Sequence, residues 1–212
     1  VTRYLAWNED AEKECGVLFF GQHDYCAPAM YRSPLHDLLY ENNGDGTFTD
    51  VTQRAGLADA QGHGLGIAID DFDADGLEDV FVANDMTEHH LWINQGDGTF
   101  LEEAAMRGCA IDASGKRKAG MGTEVFDADF DGDPDILVVN MDGQSDSFFA
   151  NQGDGYFVDA TGTTGLVGLS KLYTRFGVLL EDFNNDGNTD LYMANGKISR
   201  SFSPEVEDVY AE

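Results

Sequence analysis

The segment AGMGTEVFDADFDGDPDILVVNM (119–141) carries five aspartates within the nine residues 127–135, between two runs rich in β-branched and aliphatic residues. Unit charges a few ångströms apart repel each other even in water, so this loop is unfavourable unless a cation lies among its carboxylates. Gly132 stands at the sixth position, where a residue without Cβ lets the chain turn sharply. The segment therefore predicts two short strands joined by a cation-binding turn.

The same pattern occurs three times in the chain. HGLGIAIDDFDADGLEDVFVAND (63–85) precedes this segment and TRFGVLLEDFNNDGNTDLYMANG (174–196) follows it. The leading aspartates are 56 and 55 residues apart: Asp71, Asp127 and Asp182. A second motif, whose Asp-Gly pair favours a tight hairpin, alternates with the first: LLYENNGDGTFTDVT (38–52), LWINQGDGTFLEEA (91–104) and FFANQGDGYFVDAT (148–161). Repetition at this period predicts a propeller, a solenoid or an array.

Each repeat contains one strand–loop–strand unit and one hairpin, which makes four short strands and no sustained helical period. This predicts an all-β fold of β-propeller blades, each of four antiparallel strands, that bury their faces against one another. We expect a single propeller segment over 1–212, with blade units at approximately 1–55, 62–105, 118–161 and 173–212. The first and last units are incomplete, so we expect a piece of a larger propeller, or missing strands supplied by another chain.

The aspartate loops follow the nine-residue pattern D-x-[DN]-x-D-G-x-x-D, with side-chain oxygens at alternate positions and a backbone carbonyl available at position seven. Hard oxygen ligands around a turn suit Ca²⁺, which takes about six to eight of them. We therefore predict about three Ca²⁺ ions. The predicted ligands are Asp71, Asp73, Asp75, Leu77 and Asp79 in the first loop, Asp127, Asp129, Asp131, Asp133 and Asp135 in the second, and Asp182, Asn184, Asp186, Asn188 and Asp190 in the third.

Other metals fit these loops less well. Magnesium demands stricter octahedral geometry, and zinc favours the histidine and cysteine that the loops lack. An EF-hand shares the first six positions but needs a glutamate at position twelve and flanking helices. Position twelve is Val82, Val138 or Met193 here, within a strand-like run each time. The alternative without a metal is an acidic, solvated turn.

The composition limits the classes of partner. The chain has 40 acidic and 12 basic residues and a net charge of −28, which argues against nucleic acid and anionic membrane surfaces and favours cations or basic partners. No apolar run approaches the length of a transmembrane helix. Cys15 and Cys26 are close enough in sequence to form a disulfide, which would indicate an oxidising compartment; otherwise these two and Cys109 are buried thiols.

These motifs resemble known repeats over nearly the whole chain. The pattern G-x-G…D-x-D-x-D-G-x-x-D…V-A-N resembles FG-GAP (VCBS-type) repeats, the calcium-loop blades of integrin α-subunit-like propellers. The alternating L-[YW]-x-N-x-G-D-G-T-F motif is similar to the ASPIC/UnbV, or cartilage-acidic-protein-like, group of secreted propellers. Three further stretches are also similar to that group: DYCAPAMYRSPLHDLLYENNGDGTFTDVTQRAGL (24–57), VANDMTEHHLWINQGDGTF (82–100) and GCAIDASGKRKAGMG (108–122).

The resemblance implies a calcium-loaded extracellular propeller, commonly seven-bladed, that serves as a binding, adhesion or assembly scaffold without catalysis. It implies a secreted or cell-surface location, with an extracellular protein or a glycan as partner. From the open strand edges we expect copies of the chain itself as an alternative partner, and from the composition neither nucleic acid nor membrane insertion. It also implies a disulfide between Cys15 and Cys26. Asn184 departs from the usual aspartate and lowers the charge of the third loop.

Other functions remain open from the sequence. The chain is alternatively a subunit of an extracellular filament or surface layer, or a polysaccharide-binding or polysaccharide-processing propeller. Trp7, Trp92 and Tyr173 are candidate glycan platforms, although packing between blades is the simpler role for them. The pair His89-His90 is a conceivable metal or substrate site, but no Ser-His-Asp order, HExxH motif or phosphate loop accompanies it.

Overall fold

The computed structural model describes residues 1–17, 23–24, 26–196 and 198, and the chain within them consists mainly of short strands. In chain order the strands are β1 (Cys15–Val17), β2 (His23–Asp24), β3 (Tyr40–Asn42), β4 (Phe48–Asp50), β5 (Gly64–Asp70), β6 (Asp79–Asn84), β7 (His90–Asn94), β8 (Phe100–Glu102), β9 (Gly120–Phe126), β10 (Asp135–Asn140), β11 (Ser147–Asn151), β12 (Phe157–Asp159), β13 (Thr174–Glu181) and β14 (Asp190–Gly196). The one-turn helix α1 spans Ala104–Arg107, and 3₁₀ turns span Glu9–Ala11, Pro28–Met30, Leu57–Asp59, Thr161–Thr163 and Ser170–Leu172. No helix in these ranges is long and apolar enough to span a membrane.

The strands form antiparallel sheets whose neighbours follow each other in sequence. β5–β8 and β9–β12 are four-stranded meanders, while β3–β4, β13–β14 and β1–β2 are two-stranded. The predicted all-β class with blades of four antiparallel strands is thereby confirmed. The described ranges hold two full blades with a partial sheet on either side, and they do not close a ring. The proposed unit boundaries stay a prediction, and 18–22, 25, 197 and 199–212 of the outer units lie outside the described residues.

The main core lies between the two full blades. Strands β6 and β10 read as nearly continuous apolar runs because both of their faces are covered by neighbouring sheets. Phe81, Leu91, Ile136 and Phe149 are fully buried in this core. A second cluster, which includes Trp92, joins residues that flank the β3–β4 hairpin, such as Leu39 and Ala55, to the β5–β8 sheet. Blade stacking thus buries the apolar side chains that one blade alone leaves exposed.

The first strands of successive sheets lie so close together that their backbones are nearly in contact. A Cβ added to Gly66 of β5 would lie 3.0 Å from the backbone nitrogen of Thr123 in β9. One added to Gly122 of β9 would collide with the carbonyl oxygen of Phe176 in β13. Only glycine permits this approach, so these glycines determine how closely the blades converge.

A disulfide joins Cys15 in β1 to Cys26, with 5.1 Å between the two Cα atoms. Cys109 is a free thiol and is fully buried in the core between the blades. Burial raises the pKa of its thiol far above the ordinary value, so Cys109 behaves as an apolar packing residue.

Candidate metal centres

The three aspartate loops connect β5 to β6, β9 to β10 and β13 to β14, and they share one backbone conformation. The residue at position four has a left-handed φ in each loop: Ala74 (59°), Phe130 (62°) and Asn185 (60°). The glycine at position six is also left-handed: Gly76 (87°), Gly132 (96°) and Gly187 (88°). A left-handed conformation is unfavourable for residues with a Cβ, so other contacts must hold these turns.

The first aspartate of each loop provides those contacts. In the first loop, Asp71 Oδ1 accepts a hydrogen bond from the Asp75 N–H at 3.0 Å, and Asp71 Oδ2 accepts one from the Gly76 N–H at 2.8 Å. Asp127 and Asp182 accept the two corresponding bonds in their loops, at 2.8–3.1 Å. The first aspartate thus folds the chain around a common centre.

The last aspartate of the loop joins it to the following hairpin. Asp79 is fully buried, and its two oxygens accept the N–H groups of Phe72 (3.2 Å) and Asn94 (2.8 Å). Asp135 is held in the same way by the N–H groups of Ala128 (3.0 Å) and Asn151 (2.8 Å). Burial, opposed by these hydrogen bonds, raises the pKa of Asp79 to about 6 and also raises the pKa of Asp135.

The structure brings together three predicted carboxylates in each of the first two loops. One oxygen from each member of a group lies within 4.8 Å of the others: Asp71, Asp73 and Asp79 in one group, Asp127, Asp129 and Asp131 in the other. Asp75 and Asp135 are not members of these groups. The third loop, with Asn184 at position three, forms no such carboxylate group within the described ranges.

The residues present fit a hard divalent cation. Both groups consist of carboxylate oxygens, without histidine or cysteine. Asp73 Oδ1 is buried and has no hydrogen-bond partner in the part of the chain described here. An unpartnered buried carboxylate oxygen is costly, and a cation is the partner that would satisfy it.

Sequence reasoning missed two kinds of residue near these loops. Asn151 donates through Nδ2 to the carbonyl of Phe72 at 2.9 Å, which links the second blade to the first loop. Its repeated place in the N-x-G-D-G motif is a signal for this role, in addition to the turn that the motif predicts. Arg107 forms a salt bridge with Asp73 at 3.1 Å. The other repeats have no arginine at that position, so the repeat pattern gave no signal for it.

The histidine pair forms no open site. His89 is buried between the rings of Phe81 and Phe149, and its Nδ1 accepts the Asn84 N–H at 3.1 Å. His90 is also buried and lies in β7. Both side chains therefore pack within the blade.

The two tryptophans proposed as glycan platforms differ in burial. Trp92 belongs to the buried cluster beside the β3–β4 hairpin. Trp7 is 53% exposed, and its indole N–H donates to Glu12 at 2.6 Å. Trp92 is therefore a packing residue, as predicted for the simpler case, and offers no surface to a glycan.

Comparison with known proteins agrees with this architecture. The FG-GAP-like repeat family matches residues 71–138 and 127–193, which together cover more than half of the chain. The chain is 27% identical over 182 residues to cartilage acidic protein 1 of Xenopus tropicalis, covering 76% of the chain and 25% of that protein. It is 27% identical over 180 residues to the human protein of the same name, covering 76% and 24%. The chain thus spans about a quarter of the length of these curated relatives. With its matched repeats and its blades of four antiparallel strands, the chain belongs to the FG-GAP-like repeat family.

Proposed function

We propose that the chain is part of a calcium-binding extracellular β-propeller that serves as a binding or adhesion scaffold and has no catalytic role. The observation that carries the proposal is the common loop conformation, in which the first aspartate fixes the turn. In the first loop, Asp73 Oδ1 is also buried without a hydrogen-bond partner among the described residues. Calcium would lie among these carboxylates and offset their mutual repulsion.

Calcium would stabilise the propeller because only the folded loops assemble its ligands. An ion that binds the folded state but not the unfolded state raises the free energy of unfolding by mass action, by about 2.7 kcal/mol at a hundredfold excess over its dissociation constant. Each loop also connects the first two strands of its sheet, so an ion there would strengthen the blade itself. We propose one ion for each loop, with the position-seven carbonyls of Leu77, Asp133 and Asn188 among the ligands.

The first experiment is thermal unfolding of the complete polypeptide in millimolar Ca²⁺ and in chelator, with a metal count by mass spectrometry. We expect at least three Ca²⁺ per chain and a clear loss of stability in chelator. Asp129→Ala removes one proposed ligand and should reduce the calcium-dependent gain, while Glu78→Ala removes the same charge from an exposed side chain that is not a proposed ligand. No bound metal and no response to chelator would refute the calcium proposal.

An extracellular location is supported by the Cys15–Cys26 disulfide, which is typical of oxidising compartments. It is also supported by the similarity to proteins whose name describes an acidic component of cartilage. The chain is likewise acidic, with a net charge of −28. Fractionation of the source cells, with non-reducing peptide mapping of the exported protein, tests this location. A reduced protein that stays inside the cell would contradict it.

A larger propeller is supported by apolar side chains on the outer sheets. Phe48 in β4 is 62% exposed and Tyr192 in β14 is 64% exposed, whereas the corresponding faces between the full blades are buried. We propose that further blades of the same polypeptide cover these faces. The partner of the assembled propeller is proposed to be an extracellular protein or a glycan, and sedimentation with and without Ca²⁺ will show whether it is a second copy.

A further inference from the structure

Arg107 lies between the first aspartate loop and the neighbouring blade. It ends α1, directly after the β5–β8 sheet, and only 10% of its side chain is exposed. Within its own blade, Nε donates to Glu103 at 2.7 Å and Nη2 donates to Asp73 at 3.1 Å. Asp73 is a proposed calcium ligand, so the guanidinium already occupies one side of the first metal centre.

The same guanidinium reaches the next blade. Its Nη1 donates to the carbonyl oxygen of Asp154 at 2.7 Å, in the turn between β11 and β12. Its Cζ atom lies 5.4 Å from the centre of the Tyr156 ring. Gly155 packs so closely that an added Cβ would collide with the guanidinium. Arg107 therefore connects a proposed metal ligand directly to the packing between two blades.

The two oxygens of Asp73 are in different situations. Oδ2 is held by Arg107, while Oδ1 is buried and without a partner in the described ranges. At the matching position of the next repeat stands Thr164, whose hydroxyl donates to the carbonyl of Thr161 at 2.9 Å. Among the proposed ligands in the described part of the chain, Asp73 alone forms a salt bridge. The guanidinium of Arg107 is thus a cation that the chain itself places against the first loop.

We propose that Arg107 is a built-in counter-ion of the first loop, which keeps this loop and the adjoining turn in place without calcium and lowers the calcium affinity of this centre. The inference rests on the proposed function, because it requires that the loops bind calcium. A guanidinium and a divalent cation that share one carboxylate repel each other, and at such short distances even a water-like dielectric changes a binding constant by about tenfold.

The test compares Arg107→Thr, the residue that the next repeat carries, with Arg117→Thr in the complete polypeptide. Arg117 pairs with Glu88 at the surface, with 57% of its side chain exposed, so its replacement removes the same charge away from the loops. Calorimetric titration with Ca²⁺ should show one site that is about tenfold tighter in Arg107→Thr. The midpoint of thermal unfolding should fall by several degrees in chelator and by much less in saturating Ca²⁺. Arg117→Thr should behave like the wild type in both measurements.

A double variant identifies the site that changes. In a protein carrying Asp71→Ala, which removes the carboxylate that fixes the turn of the first loop, adding Arg107→Thr should leave the affinities of the remaining sites unchanged. Equal loss of stability with and without Ca²⁺, or weaker calcium binding in Arg107→Thr, would overturn the counter-ion role and leave Arg107 as a packing residue. A wild-type protein without any calcium response would instead remove the proposed function, and this inference with it.

Discussion

At the scale of single residues, carboxylates with the same chemistry have distinct roles. Asp79 accepts two backbone N–H groups and anchors the next hairpin, whereas Asp73 keeps one buried oxygen to which no described residue donates a hydrogen bond. Asp146 lies outside the loops, between β10 and β11, and is buried against Arg175, with 2.6 Å between the paired atoms and 2% of each side chain exposed. The role of an acidic residue here depends on which donors surround it, and sequence position alone does not show this.

The Asp146–Arg175 pair should be sensitive to the loss of either partner. Arg175→Met should lower the free energy of unfolding by about 3–5 kcal/mol, because it leaves a buried carboxylate without its cation. Denaturant unfolding measures the loss, and Arg117→Met is the control. The Arg117–Glu88 pair is similarly short at 2.7 Å but about half exposed, so this change should cost at most about 1 kcal/mol. Equal costs for the two variants would contradict the argument from burial.

His89 should make the stability depend on pH. Its burial, reinforced by His90 and Lys118, lowers the pKa of the imidazole to about 3, below the value of about 6.5 in an unfolded chain. The unfolded state therefore binds more protons between these values, and stability should fall by up to about 1.4 kcal/mol per pH unit as the pH drops through this window. Relative to His89→Gln, the wild type should lose more stability between pH 7 and pH 5 in denaturant unfolding.

The comparison with His89→Gln separates this histidine from the other titrating groups of the protein. Burial raises the pKa of Asp37, Asp85 and Asp146, which acts in the opposite direction and is common to both proteins. An unchanged slope in His89→Gln would show that another group is responsible.

At the scale of elements, local and repeated features could be predicted from the sequence. The three strand–loop–strand units and the Asp-Gly hairpins depend on residues a few positions apart, so each copy carries the full signal. Contacts between blades join residues far apart in sequence, such as Asn151 with Phe72 or Arg107 with Asp154. Such pairs depend on how the sheets stack, and only the three-dimensional arrangement shows them.

Because the first strands of neighbouring sheets lie so close together, adding one methyl group between them should have a large effect on the free energy of unfolding. Gly122→Ala should lower the free energy of unfolding by about 2 kcal/mol or more, because the added Cβ collides with the Phe176 carbonyl and forces β9 and β13 apart. Gly162→Ala is the matched control, since its Cβ would meet no atom within 4 Å. It should be neutral or slightly stabilising in the same denaturant unfolding. A neutral Gly122→Ala would mean that the strands separate without cost.

At the scale of the whole molecule, charge is the dominant property. A net charge of −28 on 212 residues opposes compaction, and the aspartate loops concentrate part of this charge. Bound cations would lower both the total charge and the local repulsion. The stability of the propeller should therefore depend on the ions present as well as on its apolar core.

This charge predicts a difference in the response to salt. Raising monovalent salt from about 0.02 M to about 0.2 M shortens the screening length and should raise the unfolding temperature of the chelated protein. The calcium-loaded protein should respond less, because its loop charges are already compensated. Thermal unfolding in the two conditions measures this difference, with potassium chloride and sodium chloride compared to exclude a specific ion. Identical responses would contradict a charge-based origin of the calcium effect.

The order of the strands has a consequence for synthesis on the ribosome. Each full blade is a meander of consecutive strands, so an emerging chain can complete its hydrogen bonds as soon as the last hairpin has left the exit tunnel. The apolar cluster, however, draws on β6 and β7 of one blade and β10 and β11 of the next. The strands of a lone nascent blade are therefore hydrogen-bonded to one another, but its apolar face is exposed. The blade becomes a stable unit only after about fifty further residues have been translated. In such a protein, the pace of elongation sets how long each new blade stays exposed to chaperones.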